Sequence, residues 1–360
     1  MNKRGFTPSV IAISRDLVRG LPLTYALLAL VVLPACQNPQ RPIFPALSPP
    51  IVWPAPPDTP RIRYIGALRG EADLDIRPRG WEAFRTVVAG PRPTGVFARP
   101  SAVAVRGERI FVADVGAGVV HLLDLEQRRY QVLRGAAADP LQVPIDAAIV
   151  GGDRLAVVDR SRAAVDLFDL EGNWLETLRR PELSAPTAAA WDTTEHVLWL
   201  ADANAHACFA TTNSLEISRR IGERGGAPGQ FNFPTGLAVY PETGLVVADA
   251  MNFRVQTFGA DGAPRLVFGR KGDAAGDFAL PRDVAVDSAG HIYVLDSQFE
   301  NVQIFDKQGR LLMAFGGGGN GPGEFSLPSG ITIDEKDRIW IADSYNQRVQ
   351  AFQFLTEVAP

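Results

Sequence analysis

Apolar residues between positions 283 and 316 arrive in four short bursts: 283–287 (DVAVD), 291–296 (HIYVLD), 301–306 (NVQIFD) and 310–316 (RLLMAFG). Within each burst apolar and polar positions tend to alternate, and Asp, Ser, Gly and Gln fill the gaps. That spacing predicts four short antiparallel strands joined by tight turns.

The same pattern recurs along the chain. Segments starting at Pro234, Pro281 and Pro328 align without gaps at a period of 47 residues, and weaker copies start at Pro100, Pro144 and Pro186. The aspartate that closes the second apolar run recurs as Asp114, Asp159, Asp202, Asp249, Asp296 and Asp343. Six units of four strands predict an all-β fold, a six-bladed β-propeller of four-stranded antiparallel blades. The sixth repeat stops after its third strand. The stretch 61–70 (RIRYIGALRG) reads as the missing strand, supplied to the last blade from the N-terminal side. Blades 4, 5 and 6 are each preceded by a Gly-x-Phe signature at Gly229, Gly276 and Gly323, and Gly95-Val96-Phe97 repeats it before blade 1. Residues 71–93 then form an insertion, where Trp81, Phe84, Val87 and Val88 have the spacing of a short amphipathic helix.

Blades 4 and 6 carry the fullest motif, a Pro-x-Gly start, the aspartate, and then Asn252-Phe253-Arg254-Val255-Gln256 or Asn346-Gln347-Arg348-Val349-Gln350. This pattern resembles the NHL repeat, over about residues 95–354. Some enzymes with such repeats hold zinc with histidines that project into the central channel. His121, His196, His206 and His291 all fall off the predicted inner strands, so the resemblance implies no such zinc site here.

The N-terminus reads as an address. Residues 1–20 are basic, and 21–35 (LPLTYALLALVVLPA) are apolar and uncharged, the length of a signal-peptide core and short of the roughly 20 residues a spanning helix needs. The run ends in Leu33-Pro34-Ala35-Cys36, which is similar to the lipobox of bacterial lipoproteins and implies a signal peptide over 1–35 and a lipidated Cys36. Residues 36–60 hold nine prolines, all within 37–60. They read as an extended tether of about 3.1 Å per residue. The propeller head is then 61–360, with membrane contact through the lipid and an expected place on the bacterial outer membrane, facing the periplasm or the surface.

Charge narrows the partners. The chain carries −4 overall, but its first 35 residues hold four basic side chains against one acidic one, which leaves −7 on the rest. An acidic body repels phosphate backbones and argues against nucleic acid. Two cysteines cannot make a disulfide framework, and Cys208, on an apolar strand, reads as a buried inert thiol.

Candidate chemistry is sparse. The six repeat aspartates read as turn devices that accept backbone N–H groups, because a feature present in every blade serves the fold. Two residues after the repeat proline stand Asp146 and Asp283, with Arg282 beside the latter, expected to line the channel entrance. Met251, Phe253, Phe299 and Tyr345, in the turns after the second strands of blades 4–6, form a candidate apolar patch. No nucleophile elbow, His-Glu-x-x-His or phosphate loop occurs. The reading is therefore a monomeric head that binds another envelope protein or peptide and needs no cofactor. The alternative is a lactonase, lyase or hydrolase using Ca²⁺ or Zn²⁺ at the channel mouth.

Overall fold

Each repeat folds into an antiparallel sheet, and the six sheets are arranged as a six-bladed β-propeller around a central channel. The computed structural model describes residues 40–77, 81, 94–212, 216–240 and 244–355. The expected leader and Cys36 lie outside these residues, as do Phe84, Val87 and Val88 of the insertion; Trp81, their expected helical neighbour, is exposed.

The inner strands are Pro100–Arg106, Pro144–Val150, Pro186–Asp192, Pro234–Tyr240, Pro281–Val286 and Gly330–Ile333. Each second strand ends on its repeat aspartate: Arg109–Asp114, Arg154–Asp159, Val197–Asp202, Gly244–Asp249, Ile292–Asp296 and Arg338–Asp343. Blades 1–5 complete themselves in sequence. In blade 6 the third strand, Arg348–Phe354, pairs on its outer side with Ile62–Leu68, in the register Ile62 to Phe354 and Leu68 to Val349. The N-terminal strand thus closes the ring.

The proline-rich segment is not a free tether over its described part. Val52–Trp53 adds a fifth strand to blade 6, against Ile62 and Arg63. The Trp53 ring packs 5.9 Å from Phe315 and 5.8 Å from Phe352, and Phe44 lies 6.1 Å from Trp340. Prolines favour an extended chain, but two large aromatic rings among them bury enough apolar surface to hold that chain against the blade. Residues from Pro42 onward pack with the propeller as one unit, so the head begins near Pro42 and not at residue 61.

The core lies between blades. Side chains of adjacent sheets interdigitate, for example Phe111, Val120, Leu155 and Phe168 between blades 1 and 2, and Val246, Val255, Ile292 and Phe305 between blades 4 and 5. The Gly-x-Phe phenylalanines, Phe97, Phe231, Phe278 and Phe325, are all buried. Gly269, at φ +85°, lies directly beneath the Phe278 ring, so a Cβ there would overlap it.

All six repeat aspartates are buried and accept N–H groups from two places. Asp296, for instance, takes Gln298 and Phe299 of its own turn (both 3.0 Å) and Ala279 and Leu280 of the connector before the inner strand (2.8 and 3.1 Å). In blades 4 and 6 the motif side chains converge on the same carboxylate. Asp343 pairs with Arg348 Nε at 2.7 Å and accepts from Asn346 and Gln350, while the other Arg348 nitrogens donate to the carbonyls of Asn320, Gly321 and Glu324. Asp249, Asn252, Arg254 and Gln256 repeat the arrangement. The motif is therefore a staple between a turn and a connector. At the glutamine's place in blade 1 stands His121, buried, with Nε2 3.2 Å from Asp114 and Nδ1 2.6 Å from the Tyr130 hydroxyl.

Because Asp343 and Arg348 are both almost fully buried, removing one strands the other's charge. Asp343→Ala is expected to cost about 3–5 kcal/mol in urea unfolding. Arg310→Ala, which deletes an exposed pair with Asp306, is expected to cost under about 1 kcal/mol. Equal losses would contradict the staple's structural weight.

Candidate functional site at the channel

Inner strands present a repeating pattern to the channel. Their second residue sits at a register shift in blades 1 to 5. In four blades that residue is a hydroxyl, and it donates to a carbonyl at the start of the following inner strand. Ser101 donates to Pro144 (2.8 Å), Thr187 to Pro234 (2.9 Å), Thr235 to Pro281 (3.4 Å) and Ser329 to Pro100 (3.2 Å). Blades 2 and 5 have Ile145 and Arg282 at this position. There the next residue makes the link in the opposite sense: Asp146 accepts the Ala189 N–H at 2.7 Å and Asp283 the Ile331 N–H at 2.8 Å. Asp146 and Asp283 thus complete a ring of six interblade hydrogen bonds.

They also face a cavity of about 340 Å³. Its lining runs from the two carboxylates along Val105, Ile149, Trp191 and Val286 to Arg106 and Glu335 at the turns between first and second strands. Asp146 and Asp283 line this cavity at its end nearer the repeat-aspartate face. From them the cavity extends toward the opposite face, because they come only two residues into strands that run the length of the channel. Ala102, Ala188, Gly236 and Gly330 occupy their position in the other blades, so two carboxylates project among small residues. A Cβ on Gly236 would come within 2.5 Å of the Asp283 Cα.

Burial raises the Asp146 pKa to about 6, partly offset by its backbone N–H bonds and by Arg282. Burial and the negative charge of Asp146 on the opposite blade both push Asp283 well above the usual carboxylate range. Arg282, half-buried, precedes Asp283 in the chain, and its charge acts on both carboxylates. Burial lowers its pKa first, and it feels Arg160 and Asp146 of blade 2 as well as its neighbour Asp283. Two carboxylates so placed hold a proton near neutrality, which suits them to proton exchange or to a cationic group. Among the described residues no three His, Cys, Asp or Glu side chains gather into a metal-holding group. The four histidines are dispersed, and burial pushes the Cys208 thiol pKa up.

On the face that carries the repeat aspartates, Met251 and Tyr345 are 47% and 62% exposed. Phe253 and Phe299 are half-buried, Phe253 beneath the Lys271 ammonium at 5.2 Å. Two residues unread in the sequence join them: Phe233 and Leu327, both 38% exposed and both at left-handed φ (54° and 43°). Their cause lies in the staple. Where the place of Arg254 and Arg348 is taken by Val119, Ala164, Ala207 or Asn301, the repeat aspartate captures both connector N–H groups. Where the arginine is present it occupies the aspartate, and the second N–H turns to the neighbouring blade, Phe233 to His206 Nδ1 (3.2 Å) and Leu327 to Glu300 Oε1 (3.0 Å). That turn sends the two apolar side chains outward. The signal was the arginine itself, read in the sequence only as part of a repeat.

Comparison with known proteins places the chain among propellers. Residues 284–357 match the DUF5128 family model, a 6-bladed β-propeller. No curated protein matches the chain. Among solved structures, a Bacteroides thetaiotaomicron protein of unknown function is 18% identical, with TM-score 0.56 over 71% of this chain and 70% of that one. An auxiliary nutrient binding protein from the same organism is 14% identical (TM-score 0.55, 72% and 69%), and a Xanthomonas campestris gluconolactonase 16% (TM-score 0.54, 72% and 87%). At these identities the likeness shows the fold.

An aspartate whose folded pKa lies above its ordinary value contributes full stability at low pH and loses it as pH rises through the folded value. Asp146→Asn removes that loss and keeps an oxygen for the Ala189 N–H. The variant's stability relative to the native chain is therefore expected to rise between about pH 3.5 and 6.5, by up to about 3 kcal/mol, and to level off above that. A pH-independent difference in thermal unfolding would contradict the assignment of a raised pKa to Asp146.

Proposed function

We propose that this chain is a cell-envelope lipoprotein of the NHL-repeat type whose propeller serves as a binding platform for a protein or peptide. The observation that carries the reading is the arc of exposed apolar side chains on one face: Phe233, Met251, Leu327 and Tyr345 across blades 4 to 6. Exposed apolar clusters on a rigid ring are characteristic of protein recognition. Lipidation at Cys36 would hold the head at a membrane, and with residues from Pro42 packed on blade 6 the leash between them is only a few residues long. The auxiliary nutrient binding protein among the structural neighbours is compatible with a binding role on this fold.

A second reading has its own observation. The two carboxylates Asp146 and Asp283, both raised in pKa by burial and lining a 340 Å³ cavity, resemble an acid–base site, and the gluconolactonase neighbour has this fold. Their use as interblade fasteners accounts for both residues without catalysis, so the platform is the reading preferred here.

A photo-crosslinking residue at Tyr345, compared with one at exposed Trp174 on the outer rim of blade 2, separates face from background. In living cells Tyr345 is expected to give a discrete protein adduct and Trp174 none. No adduct from Tyr345, or the same adducts from both, would sink the platform reading.

A further inference from the structure

The residue four places after each repeat aspartate ends the turn between second and third strands. It is Gly118, Ala163, His206, Phe253, Glu300 or Gln347, always at positive φ. In two blades its side chain accepts an N–H group from the next blade's connector: His206 Nδ1 takes Phe233 at 3.2 Å, and Glu300 Oε1 takes Leu327 at 3.0 Å. Phe233 and Leu327 are the two left-handed connector residues whose side chains join the apolar arc. The two acceptors differ in chemistry. A carboxylate accepts when ionised and keeps an acceptor oxygen when protonated, whereas an imidazole nitrogen that gains a proton becomes a donor. His206 is buried, and its ring meets the Phe233 ring edge-on with centroids 4.8 Å apart. Because Nδ1 accepts, the neutral ring carries its proton on Nε2.

We propose that His206 is a pH-sensitive latch on the apolar arc: the neutral imidazole fastens the Phe233 connector, and protonation at Nδ1 releases it. A solvent proton taken up on the Nδ1 lone pair sets two N–H donors against each other across the same short gap. Asp249 is not free to take the released N–H, because one of its oxygens holds the Asn232 N–H and the other holds Asn252, Arg254 and Gln256. The N–H is left to water, and the left-handed backbone at Phe233 loses its fastening. Attraction between the imidazolium and the Phe233 ring opposes release but supplies no acceptor. Charged groups on the elements packed around His206 have partners of their own. Asp202, at the head of its turn, holds the N–H groups of Ser184, Ala185 and Ala205, and Arg220, on the outer strand of its blade, donates to the Ala205 and Gly222 carbonyls. The connector before Phe233 carries Arg224 and Glu223, the latter bonded to Gln230, and across the contact Arg254 is bound to Asp249. Acid therefore loosens the blade 4 end of the arc and leaves the blade 6 end, held by Glu300, in place. The latch stands on its own geometry; that it regulates recognition rests on the platform reading.

The test is amide hydrogen exchange followed by NMR on the full chain, each rate corrected for its intrinsic pH dependence. From pH 7.5 to 5.5 protection of the Phe233 amide is expected to fall about tenfold, in step with titration of the His206 ring, while protection of Leu327 changes less than about twofold. His206→Gln keeps an acceptor that does not titrate, and Gln347 stands at the equivalent position with the same backbone sign. This variant is expected to keep Phe233 protected at both pH values. His206→Ala, which matches Ala163, is expected to leave Phe233 unprotected at both. Thermal unfolding at pH 7.5 checks that the variants keep the ring, and the comparison of Phe233 with Leu327 in the native chain decides without them. Phe233 protection that does not change with pH, or that falls together with Leu327, would overturn the latch. No partner enters the measurement, so either outcome leaves the platform reading to its own test.

Discussion

A propeller survives only if its last blade meets its first, and here a single strand from the N-terminal side makes that meeting. Ile62–Leu68 pairs with Arg348–Phe354, so the blade preceding the seam is built from both ends of the described chain. Val52–Trp53 and Phe44 then lie against the same blade and thicken the seam with aromatic contacts. Opening the ring would expose the interblade core on both sides of the break, which ties every blade's stability to this one pairing. The hydroxyls of Ser101, Thr187, Thr235 and Ser329, with the carboxylates of Asp146 and Asp283, fasten the inner circumference in the same sense.

This constraint explains why the two channel aspartates bear two interpretations. Each is needed where the second residue of the inner strand lacks a hydroxyl, and that need puts a carboxylate in a narrow, mostly apolar space. Their raised pKa values follow from placement. The asymmetry that favours recognition lies on the other face. It derives from Arg254 and Arg348, which draw the repeat aspartates away from the connectors and leave Phe233 and Leu327 turned to solvent.

Much of the fold was legible because repeats impose register. The spacing of Asp114 through Asp343 locates six second strands, and the truncation of the sixth repeat, read with 61–70, locates the closing strand. What escaped was governed by contacts distant in sequence. Nine prolines argued for an open tether, but Trp53 and Phe44 have partners at Phe352 and Trp340 that no local pattern names. That the cavity runs from Asp146 and Asp283 toward the opposite face was not legible, because position along a strand does not say toward which end a cavity opens. Met251 and Tyr345 were visible as apolar residues in polar turns. Phe233 and Leu327 were not, since each sits in a connector where its neighbours' hydrogen bonds decide which way it points.

Hydrogen exchange on the full chain tests the closure most directly. If the ring is sealed as described, amides of Ile62–Leu68 exchange as slowly as those of the Arg348–Phe354 strand, and both open with the global unfolding transition. Exchange of Ile62–Leu68 at the rate of a fraying terminus, while Arg348–Phe354 stays protected, would show that the seam is dispensable and would contradict the account.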